Sequence, residues 1–526
     1  MKVRSPDLVR SLAEKWANWS FRAAKKPNAS VSRADRINGE STRFQTQFAR
    51  RQRILYPRLL GGSPPGLMST THKESRSRLQ TLAACLLGFA LIGGGIFLWR
   101  QAAGPSASTP LNVLIVLVDT LRADHLGHHG YPRDTSPRID QFAENATTFM
   151  NHYSQAPRTG PAVASLFTGL HPLSHGAINP LSRWNAMGTL AGEKTTLAEI
   201  LEGAGYENYG IVGNPNVSPR FGFGQGFDTY EVLPDNTSPD LSDLPLDEPF
   251  FAYLHFMEPH SPYRAPKPYD DLFTDPQYSG PVDGSHGQLD RIVAGKLSLD
   301  DADKGHLVAL YDQEIRNFDE QFGKLLDQLD ERGLSDRTIV VLVSDHGEEL
   351  LDHGSALHGY TLYEEQLHVP FVIHDPRSDR SSVIRGRTQH VDLLPTLLDL
   401  LDIEHKADLP GRSLAETVTG EETELGDSAP VFALASLKAV RTVKGYSLLM
   451  DDWKWIEFSI PKQSALYHIQ SDGEESKDLS EERPLVAARL RKELERLIYT
   501  TPTAKPSLID LTEPEKSRLR ALGYLP

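Results

Sequence analysis

Cysteine is almost absent from this chain of 526 residues: Cys85 is the only one. A single thiol excludes an intramolecular disulfide and any zinc site built on cysteine sulfur. Basic charge is scarce outside one region. Residues 1–80 carry 17 Lys/Arg against 5 Asp/Glu, a net of +12, whereas the remainder carries 38 against 65, a net of −27. So acidic a body offers no broad basic face to a nucleic-acid backbone, and no nucleic-acid partner is expected. Otherwise the composition is that of a globular protein, 39% hydrophobic and long enough for two or three units.

Long charge-free apolar runs are also rare, with one exception. TLAACLLGFALIGGGIFLW, residues 81–99, holds 19 residues without a charge, close to the ~20 that cross a bilayer as a helix. Lys73, Arg76 and Arg78 precede it, and the small-residue linker QAAGPSASTP (101–110) follows it. Basic residues on the N-terminal side mark the cytoplasmic flank. Residues 79–100 are therefore expected to form a single-pass transmembrane signal-anchor. The N-terminus would be cytoplasmic and the rest periplasmic or extracellular. A cleaved signal peptide is one alternative and a buried core helix another. Residues 1–78 are basic and polar and read as disordered. A start at Met68 would leave a short basic leader before the apolar run, the usual layout of an export signal.

Folded sequence begins near Leu111. NVLIVLVD (112–119) and TIVVLVSD (338–345) are apolar runs that close on a carboxylate. Such runs suit strands buried on both faces of a parallel sheet. PFFAYLHF (249–256), YENYGIVG (206–213) and VPFVIHDP (369–376) look alike, and helical patterns at 196–205, 307–333 and 390–403 lie between them. The expected class is α/β: a large, mostly parallel sheet sandwiched by helices, over residues 111–430. From residue 431 the texture changes to short strand-like segments and the helical RPLVAARLRKELERLIY. A C-terminal subdomain at 431–526 is expected there, with a small antiparallel sheet plus a helix. The tail LTEPEKSRLRALGYLP opens on a capping-box pattern.

Ligands of open α/β sheets bind beyond the carboxyl ends of the strands. Asp119 closes one such end, and Asp345 with His346 closes another. A lone strand-end aspartate is commonly a cap or turn former. Two of them beside an imidazole suit a divalent ion with open positions. SDHGEELLDHGSALHG adds His353 and His358 as candidate contacts to an anion, and HFMEPHSPY (255–263) places His255 and His260 near the same edge. SQAPRTGPAVASLFTG (154–169) offers three hydroxyls, Ser154, Thr159 and Ser165, where a helix should begin. Thr159 is its natural N-cap, and a helix N-terminus also steadies an ionised hydroxyl or ester oxygens.

In this order, NVLIVLVDTLRADHLGHHGYPRD, TGLHPLSHG, GFGQGFDTYE, FFAYLHFMEPHSPY, TIVVLVSDHGEELLDHG, LPGRSL and RLRALGYL resemble the sulfatase family of the alkaline-phosphatase superfamily. The resemblance covers roughly residues 111–526. It implies hydrolysis of a sulfate or phosphate ester of a small molecule, glycan or lipid. It implies one divalent metal held by Asp119, Asp345 and His346, calcium in most sulfatases, with manganese, magnesium and zinc as alternatives. Counted back from Thr168-Gly169, it places the nucleophile at Thr159, with His260 and His358 facing the ester and its leaving oxygen. Sulfatases usually carry Cys or Ser there, oxidised to formylglycine; threonine cannot be converted, so no formylglycine is expected. The family's arginine four residues on is Val163 here, and its second metal aspartate is Thr120. SQAPR mimics the serine motif at Ser154, five residues out of register. Asp119, Thr159, Asp345 and His346 are also similar to the one-metal threonine pattern of lipoteichoic-acid synthases and phosphoethanolamine transferases. A phosphotransferase to a lipid or glycan is thus an alternative, and a non-catalytic binding member a third.

Overall fold

The computed structural model describes residues 110–522 and Tyr524, apart from 179–185, 243, 247–248, 406–407, 423, 427–428, 436–444 and 460–461. The expected signal-anchor, its linker and the basic N-terminal segment lie outside the described residues. Among the described residues no helix is long and apolar enough to cross a membrane.

Among the described residues nine strands form the main sheet: β1 (Asn112–Val118), β2 (Thr147–Tyr153), β3 (Glu207–Val212), β4 (Thr229–Val232), β5 (Phe250–Phe256), β6 (Thr338–Ser344), β7 (His368–Val369), β8 (Phe371–His374) and β9 (Ser382–Gln389). Their order is β7-β2-β8-β6-β1-β5-β3-β4, with β9 also paired to β2. The centre is parallel: β1 runs with β5 and β6, and β3 with β5 and β4. Only β8 and β7 run against their neighbours. The expected α/β class and its mostly parallel sheet are both present.

All seven residues of β1 are buried, because side chains of both parities meet a core. Val113, Ile115 and Leu117 join Ile339, Val341 and Val343 on one face, while Leu114, Val116 and Val118 join Val340 and Leu342 on the other. This is the two-residue period of a strand, with each apolar side chain contributing roughly 1.5–3 kcal/mol of burial. Helices α1 (Thr159–Thr168), α2 (Leu197–Gly203) and α4 (Leu393–Leu400) supply Val163, Phe167, Leu201 and Leu397 to the first face. The long α3 (Asp301–Glu331) supplies Leu307, Ile315, Phe318 and Phe322 to the second. Capping boxes open α2 at Thr196/Glu199 and α3 at Asp300/Asp303.

The change of texture after residue 430 is an antiparallel meander of β10 (Val431–Ala435), β11 (Gly445–Met450), β12 (Trp453–Ser459) and β13 (Lys462–His468). Helix α5 (Pro484–Thr500) lays Ala487, Leu490 and Leu494 on Leu434, Leu448, Trp455 and Leu466 of that sheet. The backbone N–H of Leu434 also donates to Gln155 O at 3.0 Å, just ahead of α1. The tail helix α6 (Glu513–Ala521) starts with the expected capping box, Thr512 with Glu515.

One local expectation is corrected. Thr159 is not the N-cap of α1. Arg158 holds that place with extended backbone (φ −156°, ψ 139°), and Thr159 is the first helical residue. The chain leaves the extended region one residue earlier than the cap rule predicts, so the Thr159 hydroxyl serves the site instead of the helix end.

Candidate active site

The main sheet gathers the site at the carboxyl ends of four adjacent strands, β6-β1-β5-β3. Val118 pairs with Ser344 and with Phe256, and Val212 pairs with His255. Asp119, Asp345 and Asn214 therefore emerge side by side with His255, one or two residues past or at the strand tips. Parallel strands held in register make this placement a consequence of the fold.

Asp119, Asp345, His255 and His346 have no solvent exposure. Asp119, His255 and Asp345 each bring one potential ligand atom within 4.8 Å of the others. Asp119 Oδ1 and Asp345 Oδ2 are buried without a hydrogen-bond partner. Both orphan oxygens face His346 Nε2, 4.0 Å from the first and 3.3 Å from the second. His346 Nδ1 lies 2.9 Å from the Gly347 carbonyl, which can only accept; its proton therefore sits on Nδ1 and Nε2 presents a lone pair. His255 Nε2 reaches the other Asp119 oxygen at 3.2 Å, its far nitrogen 3.0 Å from the Tyr253 hydroxyl. Burial opposes charge on Asp119, but His260, His255 and His346 together bring it down to about 2. Burial and the Asp119 carboxylate push Asp345 well above the usual range. Two buried carboxylate oxygens without donors, facing an unprotonated imidazole nitrogen, fit a divalent cation.

Thr120, at the place of the family's second aspartate, adopts φ +59°. This left-handed turn is strained for a β-branched residue, at roughly 1–3 kcal/mol. It turns the Thr120 N–H onto Asp345 Oδ1 at 3.2 Å, while Thr120 O accepts from the Tyr311 hydroxyl at 2.7 Å. Thr120 thus holds the carboxylate through its backbone.

Thr159 meets this centre directly. Its Oγ1 lies 3.4 Å from His346 Nε2 and 3.5 Å from Asn214 Nδ2. Asn214 also donates to Asp119 Oδ2 and, at 2.7 Å, to the Tyr524 hydroxyl. Tyr524 shares a hydrogen bond with Thr159, and burial raises its phenol far above the ordinary value. Around Thr159 stand His260 and His358, with ring centres 5.1 Å apart; His358 is 4.4 Å from His346, and His260 is 5.3 Å from Tyr524. His260 Nδ1 is tied to Ser261 O at 2.7 Å, leaving Nε2 buried and unpartnered. Burial lowers the pKa of His260, against the pull of Asp119. His358 Nδ1 is anchored on the buried Glu348 at 3.0 Å.

All six residues implied by the resemblance, Asp119, Thr159, His260, Asp345, His346 and His358, converge here. Three other candidates do not. His353 pairs with Glu365 at 2.9 Å and stacks on Tyr363. Ser154 donates to Ala156 O at 2.8 Å, and Ser165 lies 3.2 Å from His175 Nε2. Asn214 and Tyr524 were missed by sequence reasoning. Asn214 could have been found by the strand-end rule that selects Asp119. Tyr524 lies in RLRALGYL, whose resemblance to a family tail marks the segment but gives this side chain no role.

The comparisons with known proteins give the family. The sulfatase family model matches residues 111–403, and that of the N-sulphoglucosamine sulphohydrolase C-terminal region matches 357–500. The multifunctional alkaline phosphatase superfamily protein PehA of Trinickia caryophylli is 27% identical over 398 residues, covering 58% of this chain and 76% of its own. An arylsulfatase of Clostridium perfringens is 26% identical over 382 residues, covering 58% and 78%. The phosphonate monoester hydrolase of Agrobacterium radiobacter superposes with a TM-score of 0.61 at 20% identity, over 77% of this chain and 99% of that one. With more than half of its length matched by the family model, the chain belongs to the sulfatase family of ester hydrolases.

Proposed function

We propose that this protein is a metal-dependent hydrolase of sulfate or phosphate esters that works through a covalent ester on Thr159. The observation that carries the reading is the Thr159 hydroxyl, 3.4 Å from the same His346 Nε2 that the two orphan carboxylate oxygens face. Asp119, Asp345 and His346 would hold the cation, with His255 fixing Asp119 from behind. A bound divalent ion supplies Lewis acidity that lowers the hydroxyl pKa and offsets charge on the ester oxygens.

The remaining chemistry belongs to side chains. Asn214 and Tyr524 orient Thr159 Oγ1, which gives its proton to solvent and attacks sulfur or phosphorus in line. The bond to the leaving oxygen breaks as the new Thr159 ester forms. His260 Nε2 or His358 protonates the leaving oxygen. Water then attacks the same centre, releasing sulfate or phosphate and regenerating the hydroxyl. Burial lowers the pKa of His260, and an anionic ester placed beside it would oppose that shift. Substrates are sulfated or phosphorylated small molecules, glycans or lipids. The charge-free run at 81–99 and the basic residues before it support an anchor at 79–100 that holds the catalytic unit on the periplasmic or extracellular side.

The test uses the purified full chain in detergent with aryl sulfates and aryl phosphates, with and without calcium or manganese. Metal-dependent turnover is expected, together with a trapped sulfo or phosphoryl group on the peptide that contains Thr159. Turnover that persists in Thr159→Ala sinks the nucleophile assignment. Diversion of product by added alcohols would shift the reading to a transferase.

A further inference from the structure

Among the described residues, Arg158 is a buried cation beside the site that has no counter-ion. It is 6% exposed, yet its Nε and Nη2 have no hydrogen-bond partner, and among the described residues no carboxylate lies within 4.0 Å of it. Arg122 shows what this protein does with a buried guanidinium otherwise. At 5% exposure, it is paired with Asp124 and Asp352, each at 2.7 Å. Removing a guanidinium from water without a counter-ion is costly, and an arginine does not shed its proton to escape that cost. A charge in this position suits a negative group that arrives with a ligand.

The surroundings point the same way. Arg158 immediately precedes Thr159 and caps the N-terminus of α1, where the helix dipole adds to its field. Its charge acts on His346, and the phenols of Tyr360 and Tyr524 act on it. Its Cζ lies 6.0 Å from the centre of the Tyr360 ring. Gly359 makes the room: it sits at φ +83°, and a Cβ there would come within 2.5 Å of Arg158 Nε. Gly359 follows His358, so the loop that carries one anion-facing imidazole also seats the guanidinium. Position 163 cannot supply a cation from the helix, because Val163 is fully buried in the core under the sheet.

We propose that Arg158 is the anion clamp of this site, its guanidinium taking non-bridging oxygens of the sulfo or phosphoryl group that Thr159 attacks. The inference rests on the ester-hydrolase reading and adds the residue that recognises the ester's charge. Guanidinium geometry matches tetrahedral oxyanions through paired N–H donors.

The experiment is calorimetric titration of the calcium- or manganese-loaded full chain with inorganic phosphate and with inorganic sulfate. Wild type, Arg158→Gln, Arg158→Lys and Gly359→Ala are compared. Arg158→Gln should weaken the bound anion by thirtyfold or more while metal affinity stays within a factor of three. Arg158→Lys should fall between the two. Gly359→Ala, which keeps the arginine but crowds its seat, should lose anion affinity as well. Should Arg158→Gln fail to fold, Arg158→Ala with added guanidinium chloride in millimolar amounts gives the second readout, since the vacated seat admits the free cation and anion affinity should return, whereas a purely structural role would show no such recovery. Equal anion affinity in wild type and Arg158→Gln overturns the clamp and leaves the hydrolase reading intact. A wild-type protein that binds metal and neither anion, and turns over no ester, removes the hydrolase reading and the clamp together.

Discussion

Residues at this site are distinguished by what their neighbours leave undone. Ser154 and Ser165 both spend their hydroxyls on internal partners, whereas Thr159 directs its own at His346, Asn214 and Tyr524. Thr159→Ser should keep measurable turnover, because the oxygen stays; Thr159→Ala should lower kcat by on the order of a thousandfold or more. Steady-state kinetics on an aryl ester separates the two. Asp345→Asn makes a second, opposite pair of expectations. Without metal it relieves the strain of two adjacent buried carboxylates, so the melting temperature should hold or rise. With excess calcium or manganese the wild type should gain several degrees and the variant almost none, since a ligand stabilises only the state that binds it. Thermal melts with and without chelator check both. Asp119, Asp345 and His346 were legible in the sequence because apolar strands announce where they end. Arg158 lies in SQAPR, but its lack of a partner is a property of the space around it, which no spacing encodes.

At the level of elements, the segment between β6 and β7 does two jobs. Its start, at Asp345 and His346, belongs to the site; its middle turns away and is pinned by His353 on Glu365 and Tyr363. Burial works against a charged His353, but the Glu365 carboxylate, helped by Glu475 and Glu349, outweighs it and lifts the imidazole from 6.5 to about 9. A histidine raised on folding contributes its full stability below the unfolded value and loses it as pH climbs through the folded one. Stability should therefore decline between pH 6.5 and about 9. His353→Gln should flatten that decline and cost about 1–3 kcal/mol at pH 6, read from urea unfolding across the range. Sequence reading placed His353 beside His358 as an anion contact because both lie on one Gly-rich loop. The loop separates them, since His358 is anchored on Glu348 instead. The strands and long helices were plain from their apolar runs and periodicity. The left-handed turn at Thr120 and the early start of α1 were not, because tertiary contacts override local preference at both.

On the scale of the whole molecule, the pocket is closed by a residue far along the chain. Tyr524 reaches Asn214 across 310 positions and lies 5.3 Å from His260. Its tail is fixed by α6, whose Leu519 is buried with Tyr524 in the same core as β1 and α1. Tyr524→Phe should lower kcat by about tenfold, the loss of one oriented hydrogen bond in the transition state, while the melting temperature stays close to wild type. Tyr524→Ala should lower both, because it also empties a ring's volume from the core. The resemblance of RLRALGYL to a family tail marked the segment, yet only folding brings its tyrosine against Thr159 and Asn214. This wiring has a consequence for synthesis. A nascent chain on the ribosome can form β1, α1 and even β6 early, bringing Asp119, Thr159 and Asp345 together, and still lack the phenol that positions the hydroxyl. Order along the chain and order in space thus part company here: the surroundings of Thr159 are complete only once Tyr524, 310 positions beyond Asn214, has folded onto them.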